Sequence, residues 1–445
     1  MRPCGTYEAA LEYVYSFFRG PLSAAPRGPL VRYAAERLGI SVPIRSRRVA
    51  SITGTNGKGS TCAYLEALLR GQGATTVVLT SPHTNSFRER LRTNGDVVSK
   101  DEFIDLVNSA IVVLESLRGT DRQLSPTMIA VLLALLAHER LGSEAYGVYE
   151  VGSGGKRDAT NVFENATVGL NVVGADHLTE FGGTVIEVLN EKLGLLRWRG
   201  RLVYLEQSVP LQNIVETIVR DLKVSADRVS PDHVAELGDL IAPFVFNGPG
   251  QRDNAALACR IFESLYLRGL TMHDVARAGG CVRRPPGRFE RRCVGNHTLL
   301  LDGAHNPPAI DGLFRCLAMD PFWAGSSGIV AFSKEKDWQS MLRIIAASGV
   351  FSSLVVTEAL RPRAVPRREL AEFALQLGLR VESSRNLATA LRMTLGASAD
   401  RPIVICGSLL LLADLDRSLQ HLGLGEWAAA ADQIDPIQPW MSDLV

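Results

Sequence analysis

The stretch Thr53-Gly54-Thr55-Asn56-Gly57-Lys58-Gly59-Ser60-Thr61 constrains this chain more than any other. An apolar, β-like run over 49–52 leads into it, and a helical pattern over 60–69 leads out. Strand, glycine-rich turn and helix N-terminus in that order make a cradle for phosphate, because backbone N–H groups and the helix dipole face the anion. Lys58 adds a compact positive charge. The spacing departs from the strict Walker form, since Gly59 separates Lys58 from Ser60 and the first glycine sits closer. A strand–helix turn without ligand is the plain alternative, and the surrounding pattern favours a nucleotide site.

Such a turn belongs in an α/β fold, and the periodicity agrees. Strands are expected over 48–53, 76–80, 146–151, 167–173 and 202–205. Helices are expected over 59–69, 100–118, 126–141, 185–197, 211–222, 254–267 and 272–278. Strands alternating with helices imply a mostly parallel sheet covered on both faces. The turn-rich basic stretch Arg283-Arg284-Pro285-Pro286-Gly287-Arg288 interrupts the alternation and marks a domain boundary, giving units 1–284 and 285–445. Beyond it, strands are expected over 298–301, 328–332, 353–357 and 403–406. Helices are expected over 308–318, 338–347, 368–377, 388–395 and 410–419. This is a second, smaller doubly wound domain. Residues 432–445, with two prolines, read as a frayed tail.

Composition narrows the function classes. A chain of 445 residues exceeds one compact core, in keeping with two domains. Lys+Arg total 48 against 47 Asp+Glu, so no global field favours nucleic acid or an anionic membrane. The longest apolar run, over 128–137, is too short to span a bilayer, and Glu8 and Glu12 interrupt any signal-peptide pattern. Seven scattered cysteines without a C-x-x-C pair read as reduced thiols, which points to the cytoplasm. Arginine supplies nearly all the basic charge, and only seven lysines occur. Five of them (Lys58, Lys156, Lys192, Lys334 and Lys336) fall in chemistry-bearing motifs.

Ligands of α/β sheets bind beyond the carboxyl ends of the strands. Besides the phosphate loop, three polar groups lie at such ends: Thr80-Ser81-Pro82-His83, the stretch from Glu150 to Asn161, and Asp176-His177. A carboxylate, a hydroxyl and an imidazole beside a phosphate loop suggest a magnesium site. Each group alone is more often structural, and it is their joint placement that favours the metal.

The ordered set Gly54-Thr55-Asn56-Gly57-Lys58-Gly59-Ser60, Ser81-Pro82-His83, Glu150 to Asn161, Asp176-His177, Glu191-Lys192, Gly287-Arg288, Asp302-Gly303-Ala304-His305-Asn306 and Gly407-Ser408 resembles the folylpolyglutamate synthase/dihydrofolate synthase family of the Mur ligase superfamily. The resemblance implies a P-loop Mur-ligase-like ATP-binding domain with a mostly parallel sheet, followed by a smaller Rossmann-like ligase domain. It implies ATP-dependent activation of a carboxylate as an acyl phosphate, then coupling to an amino acid, L-glutamate. Thr55, Asn56, Gly57, Lys58, Gly59, Ser60, Asn254, Arg288 and Asp302 would bind ATP. Ser60, Ser81, Glu150 and His177 would hold Mg2+. Lys58, Lys192 and His305 would serve catalysis, Lys192 in carbamylated form. The expected protein is a cytoplasmic monomer with small-molecule partners, no nucleic acid and no membrane.

Departures concentrate on the acid side. Many relatives carry a Thr-x-Phe-Glu segment ahead of the helix preceding Glu150, and the comparable region here reads Ser125-Pro126-Thr127-Met128-Ile129, so an aromatic and a carboxylate that could engage a pterin are absent. The usual Gly-Leu-Gly-Gly-Arg becomes Gly152-Ser153-Gly154-Gly155-Lys156. A specialised relative joining a non-folate acid is therefore the alternative, and a P-loop kinase or NTPase a more distant one.

Overall fold

The structure, a computed structural model, describes residues 3–18, 25–358, 364–397 and 401–427. The tail expected over 432–445 lies outside the described residues. The chain forms two compact units. The first comprises Met1–Ser81, Arg88–Phe246 and Gly250–Arg284, and the second Pro82–Phe87, Asn247–Pro249 and Pro285–Val445.

The first unit is built on β1 (Val49–Thr53), β2 (Thr76–Leu79), β3 (Leu91–Thr93), β4 (Asp96–Val97), β5 (Tyr146–Glu150), β6 (Thr167–Leu170), β7 (Arg201–Leu205) and β8 (Ser225–Val229). They form one sheet in the order β4-β3-β2-β5-β1-β6-β7-β8. Every pairing is parallel except those of β3 with β2 and β4 with β3. β1, β2, β5 and β6 are buried along their whole lengths, as strands covered on both faces must be. One core joins Ile52, Leu65, Leu68, Val203, Leu257 and Phe262, and a second joins Val168, Leu170, Leu189, Leu193 and Leu202.

Register sets the site. Ile52 pairs with Glu150 on one side and Gly169 on the other, so β5 and β6 run out level with the start of the phosphate loop. Two helices of this unit close their own N-terminal ends with side chains. Ser99 accepts from Glu102 N–H ahead of Lys100–Leu117, and Thr184 and Glu187 cap each other's backbone ahead of Val185–Leu193.

The second unit contains β9 (Glu290–Val294), β10 (His297–Leu301), β11 (Ser326–Val330), β12 (Phe351–Val356), β13 (Val381–Ser383) and β14 (Ile403–Cys406). Their order is β13-β12-β11-β14-β10-β9, with only β9 antiparallel to its neighbour. Apolar clusters cover both faces, one around Leu300, Phe314, Trp323 and Leu342, the other around Leu299, Ile329, Leu391 and Leu415. Both units are α/β with mostly parallel sheets.

Several elements differ from the sequence expectation. The strand expected over 167–173 stops at Leu170, because Asn171 turns inward beneath the loop. The helix expected over 185–197 stops at Leu193 before Gly194. The one expected over 410–419 divides into Leu409–Leu412 and Leu415–His421. β3, β4, β8, β9 and β13, and the helices Tyr7–Tyr15, Gly28–Arg37 and Pro231–Ile241, were not foreseen.

Candidate active site

The phosphate loop leaves β1 and turns on glycines held at positive φ, +139° at Gly54 and +86° at Gly57. A side chain at Gly57 would also collide with Asn254, whose Oδ1 lies 2.1 Å from the place a Cβ would take. Lys58 folds back over the turn, its Nζ donating to the carbonyls of Gly54 and Thr55, each at 3.1 Å. Thr55 ties the loop to the chain beyond β6: its N–H donates to Val172 O, and its hydroxyl bonds Gly174 O and accepts from Gly174 N–H. The helix Lys58–Gly71 then starts from Gly57 with no side-chain cap. Its first N–H groups are left for an anion. Ser60 sits in that first turn, 1% exposed, and its Oγ has no hydrogen-bond partner among the described residues. A buried hydroxyl without a partner is costly unless something completes it.

Glu150, at the end of β5, reaches the same turn. One carboxylate oxygen accepts the Ser81 N–H at 2.8 Å, and both oxygens lie within 3.7 Å of the place a Cβ on Gly59 would take. Ser81, Glu150, Gly59 and Ser60 therefore share one neighbourhood. His177 adopts a left-handed backbone at φ +53°, ahead of the short helix Leu178–Phe181. Its Nδ1 lies 3.0 Å from Glu180 Oε2, and its Nε2 lies 3.7 Å from Asp176 Oδ2. Among the described residues, no group of three or more His, Cys, Asp or Glu side chains could hold a metal alone, so an ion here needs hydroxyl or ligand oxygens.

Lys192 is 3% exposed and donates to Ser153 O at 2.9 Å. Burial, reinforced by the Lys58 charge, pushes its ammonium down to about 7; Asp176, Asp158 and Glu191 oppose the shift. Glycines make this placement possible. A Cβ on Gly155 would stand 2.5 Å from Glu191 O and 2.7 Å from Lys192 Cα. Glu191 clamps the opposite strand of the loop, accepting from Arg157 N–H at 2.7 Å and from Arg157 Nε at 3.2 Å. Asp158, unremarked in the sequence, closes the same loop through Gly152 N–H and the Thr160 N–H and hydroxyl.

Asn171 escaped sequence reasoning altogether. It is 1% exposed, and its Nδ2 donates to both Thr61 Oγ1 and Asn254 Oδ1 at 2.9 Å. It joins the loop helix to Asn254, one of the residues expected to bind ATP. A single asparagine after an apolar strand carries no spacing signal, so only the fold reveals it.

In the second unit, Arg288, Asp302 and His305 gather at one turn. Asp302 accepts from Phe289 N–H through one oxygen and from Ala304 N–H through the other, both at 2.8 Å. Burial nonetheless raises its carboxyl above the usual range, against the pull of Arg288 and those N–H groups. Arg288 Nη1 donates to Gly287 O at 3.2 Å, and His305 Nδ1 lies 2.7 Å from Gly303 O.

Comparison with known proteins decides what this arrangement is. The family described as dihydrofolate synthetase, C-terminal domain, matches residues 288–419. The dihydrofolate synthase/folylpolyglutamate synthase of Bacillus subtilis is 28% identical over 365 residues, covering 74% of this chain and 81% of that protein. The folylpolyglutamate synthase of Lacticaseibacillus casei is 27% identical over 437 residues, covering 93% of this chain and 98% of that one. Among solved structures, Mycobacterium tuberculosis folylpolyglutamate synthase complexed with ADP shares the fold with a TM-score of 0.80 at 23% identity, over 92% of this chain and 97% of that one. Over most of its length this chain is similar to the folylpolyglutamate synthase/dihydrofolate synthase family. It is an ATP-dependent ligase with a Mur-ligase-like fold.

The structure also places the departure at Ser125-Pro126-Thr127-Met128. Ser125 is the N-cap of the helix Pro126–Leu141, and Met128 is the third residue of its first turn, with Sδ 3.5 Å from Ser125 N. Ser125 Oγ accepts the Met128 N–H at 3.4 Å, so the two residues close this helix end between them. Thr127 is exposed at the same turn. No helix among the described residues is long and apolar enough to cross a membrane.

Proposed function

We propose that this chain activates a folate-type carboxylic acid with ATP and joins it to L-glutamate, acting in the cytoplasm as a monomer. One observation carries the reading: an uncapped helix N-terminus, an unpartnered buried hydroxyl and a carboxylate meet at the carboxyl ends of β1 and β5, with a buried amine in the field of Lys58. All seven cysteines are free, which suits a reducing compartment.

In the proposed reaction an oxygen of the acid attacks the γ-phosphorus, and the bond to the ADP oxygen breaks, giving an acyl phosphate and ADP. The amino group of glutamate then attacks the acyl carbon, phosphate departs with its bridging oxygen, and the ammonium loses a proton to solvent. Loop N–H groups and Lys58 hold the β- and γ-phosphates; Thr55, Asn56, Gly57, Gly59 and Asn254 shape that cradle. Arg288 and Asp302 serve the nucleotide and His305 the phosphate. The orphaned Ser60 hydroxyl beside the Glu150 carboxylate fits Mg2+, with Ser81 and His177 completing the set; when bound, the metal offsets charge on the phosphates. Lys192, with an amine half neutral near pH 7, captures carbon dioxide: its nitrogen bonds carbon, one proton leaves, and a carbamate anion replaces a cation.

Mass spectrometry of products made with ATP, Mg2+, L-glutamate and either dihydropteroate, tetrahydrofolate or a panel of non-folate acids tests this. A folate gaining one glutamyl mass with one ADP released is expected. Amides formed only from non-folate acids, or a stable phosphorylated product made without amine, would refute it.

A further inference from the structure

A chain of polar contacts inside the second unit is used by nothing described so far. Asp416 lies in the first turn of Leu415–His421 and is 2% exposed. One of its oxygens accepts the Asn85 Nδ2 at 2.8 Å, and the other is ion-paired to Arg292 Nη1. Arg292 passes the contact along β9: its Nη2 donates to Glu290 Oε1 at 2.9 Å. The two residues alternate by two along the strand and so share a face. Glu290 Oε2 in turn accepts the Gly287 N–H at 2.8 Å. Gly287 sits at φ +63° and immediately precedes Arg288.

The two ends of this chain matter for different reasons. Asn85 lies in Pro82–Phe87, the segment that continues from Ser81-Pro82-His83 and belongs to the second unit. Gly287 sets the backbone from which Arg288 projects. A buried carboxylate with two donors from distant parts of the sequence is a geometric constraint on both, and charge-assisted bonds of this kind are among the stronger ones available. Core packing of Leu415–His421 does not require it, since Leu415 and Leu419 already bury that helix.

We infer that Asp416 is a positioning residue of the ligase reaction, holding the Pro82–Phe87 loop through Asn85 and the Gly287-Arg288 turn through Arg292 and Glu290. The inference rests on the proposed function for its effect on turnover, because Ser81 and Arg288 have their roles only there. Asn85→Ala removes the loop arm and leaves the Asp416–Arg292 pair intact, while Asp416→Asn weakens both arms without changing shape.

The experiment measures amide exchange, affinity for a fluorescent ATP analogue with Mg2+, kcat, KM and melting temperature in both variants. Asn85→Ala should speed exchange over 82–87 alone. Asp416→Asn should speed it over 82–87 and at Gly287. Both should weaken nucleotide affinity or raise the acid KM roughly tenfold while kcat stays within about threefold. Unchanged exchange over 82–87 in either variant overturns the inference, and so does faster exchange with unchanged affinity and KM. Exchange and nucleotide affinity do not depend on which acid is the substrate, so a failed folate assay and a failed positioning role remain separate results.

Discussion

Two strand-to-helix turns, one in each unit, meet the same backbone problem with opposite solutions. After β1, the helix Lys58–Gly71 starts from a left-handed glycine with no side-chain cap and an unpartnered Ser60 hydroxyl in its first turn. After β10, Asp302 spends both oxygens on backbone N–H groups, and Asn306 caps the helix Pro307–Ala318 through Ala309 N–H. The first turn is left without a side-chain cap, as the proposed phosphate site requires. The second is sealed by its own side chains. Position at a strand's carboxyl end therefore nominates both turns, while an uncapped helix start marks the first as the proposed cradle for the β- and γ-phosphates.

Four substitutions strain or sharpen that contrast. Lys58→Ala should have the largest effect, cutting ADP release on the order of a thousandfold in a coupled assay, because the loop's positive charge acts on phosphoryl transfer itself. Lys192→Ala should cost about a hundredfold, and short carboxylic acids added to the buffer should restore part of the rate. In the wild type, the buried amine at about 7 is mostly neutral above that pH and mostly protonated below it. Turnover in carbon dioxide-depleted buffer should therefore recover on adding bicarbonate at pH 8, and recover poorly at pH 6.

Ser60→Ala comes next and is the sharper test. Its Oγ contributes no internal hydrogen bond, so the melting temperature without ligand should hold, while affinity for magnesium-ATP measured by calorimetry falls roughly tenfold. A drop in melting temperature with unchanged affinity would make the first turn as self-contained as the second. Ser99→Ala is the smallest case. It removes the cap of Lys100–Leu117, and chemical denaturation should show a loss of about 1 kcal/mol with turnover unaltered.

How far the sequence could be read follows from the same physics. Central strands such as β1, β5 and β14 are buried along their whole lengths and appear as mostly apolar runs. Edge strands do not: β8 exposes most of Ser225–Val229, and β9 opens with three consecutive charges and buries only Val294, so neither stands out from a loop. Among the site residues, the glycine loop, Glu150 and Lys192 were visible because their motifs carry fixed spacing. Asn171 and Asp158 were not, since each works through contacts with chain far away or through a loop with no regular period. The neighbours of His177 were equally hidden. Nothing in Asp176-His177 alone discloses that Glu180 approaches its ring.

The crowding at Gly155 reaches beyond this one loop. Any side chain there meets the main chain of Glu191 and Lys192, which has no slack to yield. A lone methyl group would thus displace the buried amine while leaving the identity of every polar residue of the site unchanged. Surveys of related ligases that score only charged and nucleophilic positions would pass over such a lesion, and a chain that looks intact by that measure could still be inert.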